Sequence, residues 1–202
     1  MEATWKHDYE KYAVNTTEIV EKTISDMDYE MLEAAAKLIL DAKKAGNRLH
    51  ISGIGKPAHI AGYIASLVSS TGTPTYFLHG TEAVHGSCGQ LVSGDVVIFI
   101  SNSGETAEMK STVLAVKNNG CKVIGVSGNA GSWLAKESDV HLKAAAQLEG
   151  GPLNRAPRAS ILAETIVLQA LSVLLQSSAQ VSPQQYVKWH PGGSLGKLRE
   201  GE

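Results

Sequence analysis

The chain begins with a region in which apolar residues recur every three to four positions, the spacing of amphipathic helices. The pattern covers residues 5–45 and is interrupted at residues 25–28, so it predicts two helices. Its apolar positions are Tyr12, Ile19, Val20, Met31, Leu32, Ala35, Leu38 and Ile39. Such helices cannot bury their apolar faces alone. We therefore expect residues 1–46 to form a helical arm that packs on residues 47–202 or on a neighbouring subunit.

After this region, short β-rich runs alternate with helical stretches. The predicted strands are residues 48–52, 74–79, 95–101, 122–127 and 139–143, each rich in β-branched or aromatic residues. The predicted helices are residues 58–70, 105–118, 132–136 and 160–175. This alternation is typical of a parallel sheet covered by helices on both faces. The pattern therefore predicts an α/β fold, a three-layer doubly wound domain with five parallel strands.

Composition and charge narrow the classes of function. The chain has 202 residues, 18 of them basic and 20 acidic, and the basic residues are scattered. It therefore lacks the positive surface that nucleic-acid binding needs. Two cysteines and an N-terminus unlike a signal peptide indicate a cytoplasmic protein. The most apolar stretch, residues 160–175, is shorter than the roughly 20 residues of a membrane helix, so we expect no membrane span.

Two loops after predicted strands have the composition of a phosphate site. In the first, residues 52–58 read SGIGKPA: Gly55 permits a tight turn, Lys56 supplies a cation and Pro57 suits the start of a helix. The second, SNSGET at residues 101–106, precedes another predicted helix. Ligands of doubly wound sheets bind beyond the carboxyl ends of the strands, at helix N-termini. Either loop alone is more simply explained as an ordinary turn with an N-cap.

The first loop is not a nucleotide-binding motif. Its glycines resemble a G-x-G-x-x-A dinucleotide fingerprint, but Leu78, His79 and Gly80 stand where that motif needs an acidic residue. The G-x-x-x-x-G-K-[ST] motif fails at its first spacing and at Pro57. The two loops therefore favour a small phosphorylated ligand over a nucleotide.

Titratable side chains follow several of the predicted strands, and we expect them at one edge of the sheet. They are Lys56, His79, Glu82, His85, Glu105, Glu108, Glu149 and His190. Carboxylates and imidazoles beside a phosphate suit the proton transfers that interconvert an aldose and a ketose, a reaction that needs neither metal nor cofactor. For Glu105, a place in the first turn of a helix is a sufficient explanation.

The surroundings of two histidines favour exposed imidazoles. His85 and His190 stand among glycines and other small residues. A zinc site made of His85, Cys88 and His190 is conceivable, but the spacing matches no common zinc motif. We therefore expect no metal site.

Taken together, these motifs resemble the SIS (sugar isomerase) domain family, and within it the D-arabinose 5-phosphate isomerases. The resemblance spans residues 48–197 and rests on GIGK (53–56), SSTGTP (69–74), residues 79–86 with their Glu82-Ala83 and His85-Gly86 pairs, SNSGET (101–106) and HPGGSLG (190–196). It implies conversion of D-arabinose 5-phosphate to D-ribulose 5-phosphate through an enediol. It also implies a homotetramer whose sites share residues between subunits.

The resemblance also implies roles for individual residues. Those that would hold the sugar phosphate are Gly55, Ser101, Asn102, Ser103 and Thr106; those that would surround the reacting carbons are Lys56, His85, Glu108, Glu149 and His190. We expect Glu149 to be the base at C2, with Glu108 or a histidine moving the protons of the oxygens. His190 or His85 would assist ring opening.

The chain departs from the family pattern in three places. Pro57 stands where the family usually has serine, and Ser87 replaces an acid. Residues 149–161 lose most of the family's hydroxyls and carry Arg155 and Arg158. Guanidinium groups bind carboxylate or phosphate at two points, so these arginines could contact a further anionic group of the substrate. Solvated arginines or a subunit contact explain them equally well.

Other functions remain open at this point. The paired CBS domains of many relatives are expected to be absent, which would exclude nucleotide regulation through them. One alternative is a non-catalytic phosphosugar sensor, because SIS domains also serve as effector-binding modules. The other is an enzyme of the same class that acts on an amino sugar phosphate or a more anionic one.

Overall fold

The computed structural model describes the backbone of residues 2–202 and the side chains from Thr4 onward. The elements of this part of the chain are α1 (Glu2–Ser25), α2 (Tyr29–Lys44), β1 (Leu49–Gly53), α3 (Lys56–Ser70), β2 (Thr75–Phe77), β3 (Val96–Ile100), α4 (Ala107–Asn118), β4 (Lys122–Ser127), α5 (Trp133–Glu137), β5 (Val140–Lys143), α6 (Ala159–Ala179) and α7 (Pro183–Trp189). Short 3-10 turns lie at Glu82–His85, Ser87–Gln90 and Ser194–Gly196.

The five strands form one parallel sheet in the order β2-β1-β3-β4-β5. The predicted α/β fold is therefore confirmed. The strand order reverses between β1 and β3, so the loops that follow these two strands flank the switch point. In sheets of this kind a ligand binds in the crevice at that point.

Alternate residues of each strand face the two helical layers, because side chains of a strand point to opposite faces in turn. On one face Ile51, Ile98 and Ile124 are buried in a core shared with α2, α3 and α6. On the other face Val97 and Phe99 pack with buried residues of α4 and α5. The sheet is thus covered on both sides, which explains why its strands are so continuously apolar.

The N-terminal region forms two helices, as its apolar spacing predicts. Asp28 begins α2, and its carboxylate accepts a hydrogen bond from the Met31 N–H at 3.1 Å. Leu32 and Ile39 of α2 are buried in the core around the sheet, and α1 contributes Ile19 to that core. Tyr12, at one of the predicted apolar positions, is exposed.

Several boundaries differ from the prediction. Helix α4 begins at Ala107, so Glu105 lies in the loop before it. The long helix α6 has 21 residues, and by length and composition it could cross a membrane, although half of that apolar segment is buried inside the protein. The predicted bounds of this helix, residues 160–175, were therefore too short, while the absence of a membrane span stays a prediction. Helix α7, which begins at Pro183 with Ser182 as its N-cap, was not predicted.

Candidate active site

The loops after β1 and β3 lie side by side at the switch point, because Gly53 is aligned with Ile100 in the sheet. The first loop turns directly into α3. A Cβ added at Gly53 would stand 2.8 Å from the carbonyl carbon of Pro57, so only glycine fits this approach. Gly55 has φ +66°, a left-handed conformation that also favours glycine. The exposed Lys56 is thereby placed at the first position of α3.

The second loop, SNSGET, is held rigidly at the start of α4. The buried Ser101 hydroxyl accepts the Gly104 N–H at 3.2 Å and lies 3.3 Å from the Thr106 hydroxyl. The Ser103 hydroxyl accepts the Glu105 N–H at 3.2 Å. Thr106 is the N-cap residue of α4, but its side chain makes no capping hydrogen bond. Because no side chain caps this end, the first N–H groups of α4 can bind an anion.

Asn102 connects this loop to the next strand. Its carbonyl oxygen accepts the Gly128 N–H at 2.9 Å, which joins the loop to the segment after β4. Asn102 is an exposed residue at the carboxyl edge of the sheet. The residues expected to hold the phosphate, Gly55 and Ser101 to Thr106, are thus brought together on neighbouring loops.

Glu105 has a structural contact that the sequence did not indicate. One carboxylate oxygen accepts the Trp133 N–H at 2.7 Å and the other binds the Lys110 ammonium group at 2.5 Å. The hydrogen bond from Lys110, together with that from Trp133, lowers the pKa of the Glu105 carboxyl. Glu105 therefore joins α4 to α5 as a carboxylate instead of acting within a helical first turn.

Glu149 lies in the segment between β5 and α6, at the N-terminus of α6. Its Oε2 accepts the N–H groups of Arg158 at 2.6 Å and Ser160 at 3.2 Å. The Asn154 side chain accepts the Glu149 N–H at 2.6 Å and so fixes the backbone of the loop. Within the described residues Oε1 makes no hydrogen bond. One oxygen is therefore anchored, and the other is available to take a proton.

The remaining predicted groups at this edge are Glu108, His85, Glu82 and His79. Glu108 is exposed in the first turn of α4. His85 ends the 3-10 turn that follows β2, and this turn is tied to α4 because the Thr112 hydroxyl donates to the Gly80 carbonyl oxygen. Glu82 is exposed on the same turn, where its N–H contacts Nδ1 of His79 at 3.3 Å. His79 therefore supports the turn.

His190 lies at the other edge of the sheet. It follows α7, which packs beside Gly72 in the turn before β2: a Cβ added at Gly72 would stand 3.5 Å from Cη2 of Trp189. Its Nδ1 is 2.8 Å from the Tyr186 carbonyl oxygen, and the two rings stack with centroids 4.0 Å apart. The expectation that all titratable groups share one edge is therefore wrong for His190 within a single chain. The reason is that α6 crosses the whole domain before α7 begins.

This position also separates His190 from the other two residues weighed as zinc ligands. His85 and Cys88 follow β2 at the carboxyl edge, whereas His190 follows α7 at the amino edge. Among the residues that the structure describes, no three histidines, cysteines or acids are grouped as a metal site would require.

Arg155 and Arg158 line one groove beside the loop that holds Glu149. The groove has a volume of about 530 Å³ and is completed by Pro152, Leu153 and Ala156. Both arginines are exposed or partly exposed, and neither forms an ion pair with another described residue. The Arg158 guanidinium group lies against Gly151, where a side chain would displace it.

One acidic residue near Glu149 was not recognised from the sequence. Glu164, in the second turn of α6, is 0% exposed, and neither of its carboxyl oxygens has a hydrogen-bond partner in the described structure. Burial, with a smaller contribution from the charge of Glu149, raises the pKa of Glu164 to about 8. The signal was available, since Glu164 interrupts an otherwise apolar helix.

Comparison with known proteins assigns the fold to a family. The SIS domain model matches residues 43–174, so the chain belongs to the SIS domain family. The chain is 37% identical over 163 residues to the arabinose 5-phosphate isomerase KdsD of Pseudomonas aeruginosa, a match covering 81% of this chain and 49% of the relative. It is 42% identical over 150 residues to a probable arabinose 5-phosphate isomerase of Haemophilus influenzae, covering 74% of this chain and 44% of the relative.

A solved structure extends the likeness over nearly the whole chain. A protein of Escherichia coli CFT073, solved in complex with arabinose 5-phosphate, superposes with a TM-score of 0.83 at 32% identity. The match covers 95% of this chain and 100% of that one. The chain spans about half the length of the curated relatives it matches.

Proposed function

We propose that this protein is an aldose–ketose isomerase that converts D-arabinose 5-phosphate to D-ribulose 5-phosphate through an enediol. The observation that carries the proposal is the uncapped anion site at the switch point, on the same sheet edge as a carboxylate with one unengaged oxygen. The names of the relatives and the sugar-phosphate complex of the Escherichia coli protein support the choice of sugar.

In this proposal the hydroxyls and N–H groups of the SNSGET loop, with the backbone at Gly55, hold the phosphate. The free Oε1 of Glu149 removes the C2 proton, and the same group returns it to C1. The Lys56 ammonium group stabilises the negative charge of the enediolate. Glu108 or His85 moves the proton between the two oxygens. Every step is a proton transfer between the sugar and side chains of the protein.

The test of this mechanism is Glu149→Gln. Glutamine keeps a carbonyl oxygen to accept the Arg158 and Ser160 N–H groups but cannot take the C2 proton. We expect the turnover of D-arabinose 5-phosphate to fall by roughly 10²–10⁴-fold, the usual contribution of a general base, with little change in the thermal unfolding temperature. Glu30→Gln, which changes an exposed carboxylate in α2, is the matched control. Full turnover by Glu149→Gln would remove Glu149 as the base.

We further propose that the active protein is a cytoplasmic homotetramer whose sites are shared, with His190 supplied by a second copy. His190 stands at the amino edge of its own sheet, away from the anion site of the same chain. Helix α1 also presents Trp5 and Tyr9, 66% and 67% exposed, one turn apart on its surface. Both features favour association of identical chains.

As the alternative to D-arabinose 5-phosphate, we propose a sugar phosphate with a further anionic group, which the Arg155–Arg158 groove would receive. The support is the pair of guanidinium groups without ion-pair partners among the described residues, on the loop that carries Glu149. A sugar phosphate with an additional carboxylate matches their fork-like donors.

A further inference from the structure

The buried Glu164 is the side chain whose presence the fold explains least. It lies one helical turn after Ser160. Both residues are on the buried face of α6, together with Leu168 and Leu171. A carboxyl group in such a place loses its hydration and gains no hydrogen bond in return. A leucine at this position would pack without that cost, so the acid contributes nothing to the stability of the core.

The surroundings of Glu164 leave it no cation. Helices α1, α2 and α3 pack against α6, and no described lysine, arginine or histidine lies within ion-pair distance of its carboxyl oxygens. The lysines of α1 and α2 that form ion pairs do so with acids three or four residues away in sequence: Lys6 with Glu10, Lys22 with Asp26, Lys37 with Glu33 and Lys44 with Asp41. The basic groups of α3, Lys56 and His59, are exposed and form no ion pair with Glu164. Besides burial, the negative charge of Glu149 raises the pKa of Glu164.

The two carboxyl groups lie toward the same end of α6. Oε2 of Glu149 is held by the N–H of Ser160, and Glu164 follows Ser160 by one turn on the same face. The charge of Glu149 opposes a second negative charge on Glu164, which is out of water. The N–H groups of Arg158 and Ser160 stabilise the carboxylate form of Glu149, whereas burial without a hydrogen-bond partner favours the neutral form of Glu164.

We propose that Glu164 is a pH-sensitive charge one turn behind the N–H that anchors Glu149: while its buried carboxyl group is neutral, this end of the site carries a single negative charge, that of Glu149. The inference rests on the proposed function, because it gives Glu149 the role of base. A phosphorylated sugar binds beside one carboxylate. If Glu164 loses its proton, a second negative charge opposes the anionic ligand.

The proposal has a direct consequence for ligand binding at high pH. The pKa of Glu164 is raised to about 8, so its charge develops as the pH rises through that value. The phosphate of the ligand is already doubly charged there. We expect the dissociation constant of wild type to increase above pH 8, and the affinity of a Glu164→Gln variant to stay constant, because glutamine keeps the shape of the neutral acid.

The experiment measures calorimetric binding of D-arabinitol 5-phosphate, an analogue without a carbonyl group, to wild type, Glu164→Gln and the exposed control Glu30→Gln between pH 6.5 and 9.5. We expect the dissociation constant of wild type and control to rise about fivefold or more between pH 7 and 9.5. That of Glu164→Gln should stay within about twofold over the same range. Coincident curves for wild type and Glu164→Gln, or no binding at any pH, would overturn the inference.

Turnover separates this inference from the proposed function. If the analogue binds with the expected pH dependence but D-arabinose 5-phosphate is not converted, the isomerase proposal fails while the charge limit of Glu164 stands. If turnover is present and the binding curves coincide, the reverse holds. Glu164→Leu, which cannot ionise, is the second variant and should match Glu164→Gln.

A second measurement needs no ligand. The folded protein keeps the Glu164 proton up to a pKa of about 8, whereas the unfolded chain releases it at the ordinary glutamate pKa of 4.5. The unfolded state therefore loses the proton first, and the stability of wild type must fall relative to Glu164→Gln as the pH rises from 4.5 to 8. Above that pH the difference is constant. Parallel stability curves in urea across this range would show that Glu164 is ionised in the folded protein and would contradict the proposal.

Discussion

At the scale of single residues, the two carboxylate oxygens of Glu149 have different roles in the proposed mechanism: Oε2 anchors the side chain and Oε1 takes the proton. Oε2 accepts two N–H groups at the N-terminus of α6 and so stabilises that helix end. Oε1 remains unengaged among the described residues and can serve as a base. The same anchoring fixes the direction of the free oxygen, which a catalytic base requires. A carboxylate in a flexible loop would lose conformational entropy each time it took up the reactive position, which would slow catalysis.

Arg158 also combines two roles, because its backbone N–H holds Glu149 while its guanidinium group lines the neighbouring groove. We expect Arg158→Ala, which keeps the backbone N–H, to lower kcat/KM about tenfold or more for a sugar phosphate carrying an extra carboxylate, since a lost charge-assisted hydrogen bond is worth about 1.5–3 kcal/mol. The value for D-arabinose 5-phosphate should change little. Arg48→Ala, before β1, is the control. Equal losses on both substrates would contradict the anion groove.

At the scale of elements, the anion site depends on how closely the SNSGET loop approaches the loop after β4. Gly104 has φ +65°, and its missing side chain leaves room for the buried Ser132, the N-cap of α5. In the proposed mechanism the N–H groups at the start of α4 bind the phosphate, and their position depends on this contact. The packing of two loops therefore sets the geometry of the proposed phosphate site.

The variant Gly104→Ala tests this contact. Gly46→Ala is its matched control, since Gly46 also has a positive φ of +85° but open space around a Cβ. Both should lose about 1–2 kcal/mol from the left-handed backbone. Only Gly104→Ala should lose roughly 1–3 kcal/mol more of the free energy of unfolding, because its methyl group overpacks against Ser132. Only this variant should also show a raised KM. Urea unfolding and steady-state kinetics measure the two effects. Equal stability losses with unchanged KM values would refute the loop contact.

The sequence predicted the strands and the position of the SNSGET loop before a helix well, because both depend on local patterns. Five β-rich runs became five strands, and SNSGET came to lie at a helix start beyond a buried strand. What it could not predict depends on distant contacts. Glu105 reaches Trp133 across two loops, and Glu149 is fixed by Asn154 and Ser160. No periodicity encodes these pairings.

The misplacement of His190 has a different physical origin. Local pattern indicated an exposed imidazole among glycines, but the edge of the sheet where it lies depends on the length of α6. This helix runs four residues beyond its predicted end at residue 175, to Ala179, and α7 then packs beside Gly72. Because α6 crosses the domain, the segment that follows it lies at the opposite edge of the sheet. The position of His190 could therefore be predicted only once the length and direction of α6 were known.

At the scale of the whole molecule, the proposed shared site predicts complementation between inactive variants. Glu149→Gln and His190→Ala should each be inactive alone. When they are refolded together, about a quarter of the sites should combine an intact Glu149 with an intact His190 if subunits mix at random. Turnover of D-arabinose 5-phosphate measures the recovery, and native mass spectrometry verifies that mixed oligomers form. Mixed oligomers without activity would show that His190 is not supplied across a subunit boundary.

The central claim is that the carboxyl edge of the sheet isomerises a phosphorylated sugar by proton transfer at C2. The most direct measurement follows the protein with D-arabinose 5-phosphate in deuterium oxide by NMR. We predict the appearance of D-ribulose 5-phosphate together with loss of the C2 proton signal of the remaining aldose. A folded protein that binds the sugar phosphate yet neither forms ketose nor exchanges that proton would contradict the claim, and would favour a sensor of the same ligand.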